Sequence, residues 1–226
     1  MIIRNDKDVS YVRVFHASPN APAVDIYVNG SLVFENLSYK EFTEYVPLPM
    51  EEYNVQVYPT GQTGTPTLTQ NISVPKQEII TVAAAGNIED LQLVPYIEGN
   101  AEDLQVNKSR VRVIHLSPDA PNVDVSLDGN VEFEDVGFLD ATDYTQLPSK
   151  TYNMTVELAD TQDVVLTLMP EFKSQKVYTI YVIGNPPDLS SIQSLDGSTF
   201  VRFKYLSKSR RYISSTFFIE YKLSFN

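Results

Sequence analysis

The stretch Val12–Gly30, VRVFHASPNAPAVDIYVNG, returns ninety-nine positions later as Val111–Gly129, VRVIHLSPDAPNVDVSLDG. The only two histidines of the chain, His16 and His115, fall at matching places within it. Each copy opens on an alternating run, YVRVFH or RVRVIH, and breaks at SPNAP or SPDAP, where proline lacks the ladder donor and fixes φ. A second alternating run follows, VDIYV or VDVSL, and then Asn29-Gly30 or Asp128-Gly129. An Asn-Gly or Asp-Gly pair between alternating runs marks a tight hairpin, because both central residues must take positive φ.

The correspondence continues downstream and fixes the organisation of the chain. Phe34-Glu35 meets Phe133-Glu134, Thr43 meets Thr142, Tyr45 meets Tyr144, Leu48-Pro49 meets Leu147-Pro148, and Tyr53-Asn54 meets Tyr152-Asn153. After one residue of slippage Thr81 and Gly86 meet Thr179 and Gly184. Two domains follow, 9–98 and 109–198, joined by the acidic segment EGNAEDLQVNKS, across which relative motion is the default unless the domains share a large apolar interface. Further strands are expected near 42–46, 53–58, 67–74 and 78–86. About seven short strands per repeat, with turns this frequent and no helical spacing, predict an all-β chain of two tandem sandwiches.

Composition agrees. With 14 Tyr, 11 Phe and 42% hydrophobic residues the chain has the β-formers and the core of a folded protein. It contains no cysteine, which removes disulfides, thiolate metal sites and cysteine nucleophiles. A net charge of -12 argues against a nucleic-acid partner. No run reaches the length of a membrane span or of a signal peptide. The charge is uneven: Arg202, Lys204, Lys208, Arg210, Arg211 and Lys222 stand against Glu220 alone from Phe200 onward. Within this tail, 199–226, TFVRFKYLSK lines up with SRVRVIHLSP like the start of a degenerate or frame-shifted third copy. Its aromatic β-forming end, ISSTFFIEYKLSF, suits pairing with a sheet edge and hence self-association.

The pattern V-R-V-x-H-x-S-P-x-A-P-x-V-D, with the hairpin glycine, the Tyr before Leu-Pro and the Tyr-Asn pair, resembles the bacterial domain family DUF4397. The resemblance spans roughly residues 9–198, in two copies. It implies an immunoglobulin-like or transthyretin-like sandwich found in tandem, and it brings no activity and no site residues. Where the family has a Gly-containing turn before the Tyr-x-V strand, this chain has Met50-Glu51-Glu52 and Ser149-Lys150-Thr151.

The repeated polar residues Arg13, His16, Ser18 and Asp25, and their counterparts Arg112, His115, Ser117 and Asp124, are the candidates for chemistry. Alternation puts Val12, Val14 and His16 on a buried face and leaves Arg13 outward with Asp25, so that an Arg13–Asp25 pair, repeated as Arg112–Asp124, is expected as a register device. A hydrolase would need Ser18, His16 and Asp25 to act together. No G-x-S-x-G elbow accompanies either serine, and a serine before proline is turn chemistry. One histidine per domain falls short of a zinc site, and Asn20, Asp119, Asn29 and Asp128 offer turn oxygens without calcium-loop spacing. No catalytic residue, metal or cofactor is therefore assigned. The function expected is a non-enzymatic adhesion or scaffold module of an extracellular, cell or spore surface, with an unknown protein or glycan partner. The alternative is a carbohydrate- or peptide-binding pair with ligand at the sandwich loops; Tyr27, Tyr39, Tyr45, Tyr53 and Tyr58 are the aromatics available for stacking.

Overall fold

A computed structural model describes residues 8–99 and 104–200 of the chain. The reading of the tail beyond Phe200 lies outside these residues. Strands run in the order β1 (Val9–His16), β2 (Val24–Val28), β3 (Ser31–Leu37), β4 (Val46–Pro49), β5 (Glu51–Pro59), β6 (Leu68–Val74), β7 (Ile79–Ala85) and β8 (Gln92–Ile97). The second repeat follows as β9 (Lys108–His115), β10 (Val123–Leu127), β11 (Asn130–Val136), β12 (Thr145–Pro148), β13 (Met154–Leu158), β14 (Val164–Leu168), β15 (Val177–Ile183) and β16 (Ser190–Leu195). Each repeat thus has eight strands where seven were expected. The missed strands are β8 and β16, and the strand placed at 42–46 is β4, beginning only at Val46. Phe42 makes no more than an isolated bridge to Phe15.

Each repeat folds into two four-stranded sheets. The inner sheets have the orders β4-β1-β7-β8 and β12-β9-β15-β16, and the outer sheets β3-β2-β5-β6 and β11-β10-β13-β14. β1 runs antiparallel to β4 but parallel to β7, as β9 does to β15. The expected hairpins join β2 to β3 and β10 to β11, with φ of 50° and 78° at Asn29 and Gly30 and of 51° and 79° at Asp128 and Gly129. Gly86 and Gly184, after β7 and β15, also take positive φ, and a Cβ there would stand 2.6 and 2.5 Å from the carbonyl oxygens of Asp90 and Asp188. That close approach explains the repeated glycine.

Between inner and outer sheets lie two separate cores. Val12, Val14, Ile26, Val57, Ile80 and Val82 belong to the first, and Val113, Val125, Met154, Val156, Phe172 and Ile180 to the second. A third core has no counterpart within either repeat. Phe15, Ala83, Ala85 and Tyr96 of the first inner sheet pack on Ile114, Leu116, Tyr181 and Ile183 of the second. Both faces of the inner sheets are consequently covered, which is why β7 and β15, IITVAAA and VYTIYVI, are buried at every position. The two sandwiches are docked through an apolar interface, the condition under which independent domain motion ceases to be the default.

The interface is a pseudo-two-fold whose centre is asymmetric. Phe15 stacks on Phe42 with ring centroids 4.1 Å apart, and Tyr181 packs against Phe15 at 4.8 Å. The corresponding positions hold Ile114, Ala141 and Ala83. Large side chains of both repeats thus meet at one place while their counterparts are smaller, an asymmetry that suits packing between unlike halves.

Candidate functional site

Arg13 lies on the face of β1 opposite Val12 and Val14. That face meets the second sandwich rather than water, and Arg13 is only 6% exposed. The expected Arg13–Asp25 pair does not form. Arg13 donates from Nε to Thr81 Oγ1 at 2.8 Å and from Nη2 to Ser194 Oγ of the other repeat, also at 2.8 Å. Its Nη2 lies 3.4 Å from Glu98 Oε1 and 3.9 Å from Asp196 Oδ1, and its guanidinium covers the rings of Phe42 and Tyr45 at 4.4 and 4.7 Å. Alternation says which face a side chain takes and carries no information about what covers that face.

The second repeat builds the same arrangement. Arg112 donates from Nε to Thr179 Oγ1 at 3.0 Å, crosses to the Ile97 carbonyl through Nη1 at 2.8 Å, and lies 4.6 Å over the Tyr144 ring. Glu98 and Asp196 complete the set. Glu98 accepts from the Tyr45 hydroxyl at 2.5 Å, from Thr81 at 2.7 Å and from the Gly197 N–H at 2.7 Å. Asp196 accepts from the Tyr144 hydroxyl at 2.6 Å and from Thr179 at 2.9 Å. Two guanidinium groups and two carboxyl groups are therefore shut inside the interface. Burial and the neighbouring Glu98 raise the Asp196 carboxyl to about 7 against the pull of Arg112, Tyr144 and Arg13. Sequence reading missed both acids, although each precedes a glycine at matching places, Glu98-Gly99 and Asp196-Gly197. A Cβ on either glycine would strike the tyrosine of the other repeat, at 2.7 Å from Tyr144 for Gly99 and 2.8 Å from Tyr45 for Gly197.

The remaining repeated residues are occupied locally, except that the buried Ser117 hydroxyl finds no hydrogen-bond partner among the described residues. His16 and His115 are buried, and each ring donates from Nε2, at 3.0 and 3.1 Å, to the carbonyl of Pro22 or Pro121 in its own loop. That leaves Nδ1 as the acceptor of a neutral ring, a role it fills in His115 for the Ser117 N–H at 3.2 Å. Burial holds both histidines below the ordinary value, the carbonyl bonds opposing it. Ser18 donates to the Gly86 carbonyl at 2.6 Å. Asp25 accepts N–H groups from Asn36 at 2.8 Å and Gly61 at 2.9 Å, which hold its carboxyl below the ordinary range. Asp124 accepts the matching N–H of Asp135 at 2.7 Å. The three groups of the hydrolytic alternative thus make their hydrogen bonds elsewhere, not with one another.

Among the described residues no group of three or more histidine or carboxylate side chains stands close enough to hold a metal ion. Of the turn oxygens, Asp128 accepts from Lys150 at 2.6 Å and from the Asn153 N–H at 2.9 Å, and Asn29 accepts from the Asn54 N–H at 2.9 Å. Asn20 and Asp119 join Asn87 and Asn185 where loops of both repeats meet, with Asn87 and Asn185 donating to Asp119 at 3.0 and 2.8 Å. A cavity of about 50 Å³ lies inside the first sandwich, lined only by apolar side chains such as Val14, Val55 and Val74. Met154 and Phe172 stand at the corresponding places of the second repeat. Among the described residues no helix is long and apolar enough to cross a membrane.

No curated protein matches the chain. Solved structures similar to it include a family 26 carbohydrate-binding module from Eubacterium rectale in complex with maltoheptaose, 11% identical, with 84% of this chain and 99% of that one covered at a TM-score of 0.27. The Bacillus anthracis TIE protein is 13% identical over 79% of this chain and 34% of that one, at a TM-score of 0.27. A putative adhesin from Bacteroides ovatus is 10% identical over 85% and 97%, at 0.23. A domain of unknown function, DUF4397, matches residues 10–126 and again 109–203. The chain belongs to the DUF4397 family and carries its domain in two tandem copies.

Proposed function

We propose that the chain is a non-enzymatic tandem module serving adhesion or scaffolding at a bacterial cell, envelope or spore surface, with repeats 9–98 and 109–198 each forming one sandwich. One observation carries the reading. The polar residues that recur in both copies are spent on backbone groups or on the contact between the repeats, with one exception among the described residues, the buried Ser117 hydroxyl, which makes no hydrogen bond. Their repetition follows the architecture, and in neither copy does the serine hydroxyl hydrogen-bond the histidine ring, whose nitrogens in the second copy go to the Pro121 carbonyl and the Ser117 N–H. A chain built in this way offers two docked sandwiches whose outer faces and loops are free for partners.

Two measurements test the two halves of the proposal. A fluorophosphonate serine probe is expected to leave the full chain unlabelled; labelling abolished by Ser18→Ala or Ser117→Ala refutes the non-enzymatic half. Antibodies to the chain are expected to decorate intact cells or spores, and decoration seen only after lysis refutes the surface half.

A further inference from the structure

The outer sheet of the first sandwich carries a group of side chains that neither its core nor the domain interface uses. On β2 and β5, Tyr27 and Tyr58 point away from the core with ring centroids 5.1 Å apart and planes at 68°, both partly exposed. Gln56 lies opposite Tyr27, and Thr69 opposite Gln56. Further along, Asn54 donates to Asn71 at 2.9 Å across the same face, and Asn71 donates to Glu52 at 3.0 Å. We propose that this face binds an uncharged glycan, with Tyr27 and Tyr58 as the stacking platform and the amide row beside them as the hydroxyl-reading groups.

The fold itself does not require these residues. At the corresponding places of the second outer sheet Tyr27 becomes Ser126, Tyr58 becomes Glu157, Gln56 becomes Thr155 and Asn71 becomes Met169. The twin sheet forms without the platform, so the tyrosines are not needed for packing. Electrostatics selects the partner. β2, β3, β5 and β6 hold no lysine or arginine, so the face offers no cation to a phosphate, sulfate or uronate. Amides supply both donors and acceptors, the set that a sugar hydroxyl needs, and an aromatic ring offers a flat apolar surface to the C–H face of a pyranose. The apolar part of the face is small: Leu32, exposed opposite Tyr27 on β3, joins the two rings, and the amides of Gln56, Asn54 and Asn71 border them on the other side. From Tyr58 to Asn54 the strand advances about 13 Å, which suits a short oligosaccharide better than a single ring.

This inference deepens the adhesion reading by naming a partner, and its test uses purified protein, so it stands or falls separately from where the chain resides. The full chain is titrated with the neutral hexasaccharides of the cello, xylo, malto and chito series, and with heparin and polygalacturonate. Binding is followed by calorimetry and by intrinsic emission, which is tyrosine emission alone because the chain has no tryptophan. At least one neutral hexasaccharide is expected to bind. Tyr27→Ala and Tyr58→Ala are each expected to weaken that binding by about tenfold or more, with the unfolding midpoint essentially unmoved, whereas Ser126→Ala leaves binding unchanged. Failure of every neutral hexasaccharide at millimolar concentration overturns the proposal. So does sugar binding indifferent to both tyrosines, preference for the acidic polymers, or engagement of the two tyrosines by a peptide library while the sugars fail.

Discussion

The guanidinium of Arg13 in the first repeat donates to Ser194 Oγ of the second at 2.8 Å, a bond between residues 181 positions apart. Around it the side chains of Arg13, Arg112, Glu98 and Asp196 are closed off from solvent. Arg112 Nη2 and Asp196 Oδ1 find no hydrogen-bond partner among the described residues. Such a knot opposes desolvation to attraction, so that its net contribution to stability is small while loss of one partner is costly.

Removal of one charge is therefore expected to cost more than removal of a pair. Arg13→Ala should lower unfolding stability by about 3–5 kcal/mol, because Glu98 and Asp196 lose a buried counter-charge. Arg13→Met combined with Glu98→Gln should recover a large part of that loss. Urea unfolding of the three proteins measures it, and equal losses in the single and double variants contradict this account.

The interface should also hold without the covalent link. Replacing Asn100–Asp103 by a protease site and cutting there is expected to leave the halves eluting together on gel filtration in native buffer and apart in urea. Phe15→Ala should separate the cut halves, since Phe15 fills the interface between Phe42 and Tyr181.

Stability should respond to pH through two opposed contributions. Asp196 is raised to about 7 from an ordinary value of 3.8. The folded chain therefore keeps a proton that the unfolded chain releases, and this contribution grows as pH falls from about 7 toward 4 and is lost above 7. His16 and His115 lie below 6.5 when folded, so the unfolded chain takes up protons first and stability falls as pH drops below 6.5. Asp196→Asn is expected to remove the first contribution and expose the second, giving a Tm that declines steadily from pH 7 to 5 where the wild type changes less. Superimposable Tm profiles would sink this reading.

Asp25 and Asp124 hold matching places but different workloads. Asp25 takes two backbone N–H groups, from Asn36 and Gly61, and is buried. Asp25→Ala should cost about 2 kcal/mol by stranding these donors. Asp124→Ala, which removes the single bond to Asp135 at a less buried place, should cost about 1 kcal/mol. Parallel thermal denaturation compares them, and a larger loss at Asp124 refutes the ranking.

Several elements were legible in the residues alone. Asn29-Gly30 and Asp128-Gly129 gave away their hairpins, because few other pairs accept positive φ twice in succession. His16 could be placed at the end of a buried face by counting along β1. β8 and β16 escaped notice because QLVPYI contains a proline and SSIQSL is mostly polar. The apolar runs of β7 and β15, each interrupted only by Thr81 or Thr179, did carry a signal for a sheet covered on both sides, and the Glu98-Gly99 and Asp196-Gly197 pairs marked the acids that those sheets enclose.

Local chemistry was thus enough to determine an all-β chain, its division into two copies and its tightest turns, since turn geometry and side-chain alternation depend only on neighbouring residues. What covers the second face of the inner sheets was decided by tertiary structure alone. An alternating strand says that Arg13 and Val14 point in opposite directions, and nothing in that pattern distinguishes water from a second sandwich. The partner of Arg13 is fixed by the docking of the two sandwiches, which brings together groups that are remote along the chain. That same docking leaves Tyr27 and Tyr58 on an outer sheet while Tyr45 is enclosed beside Glu98.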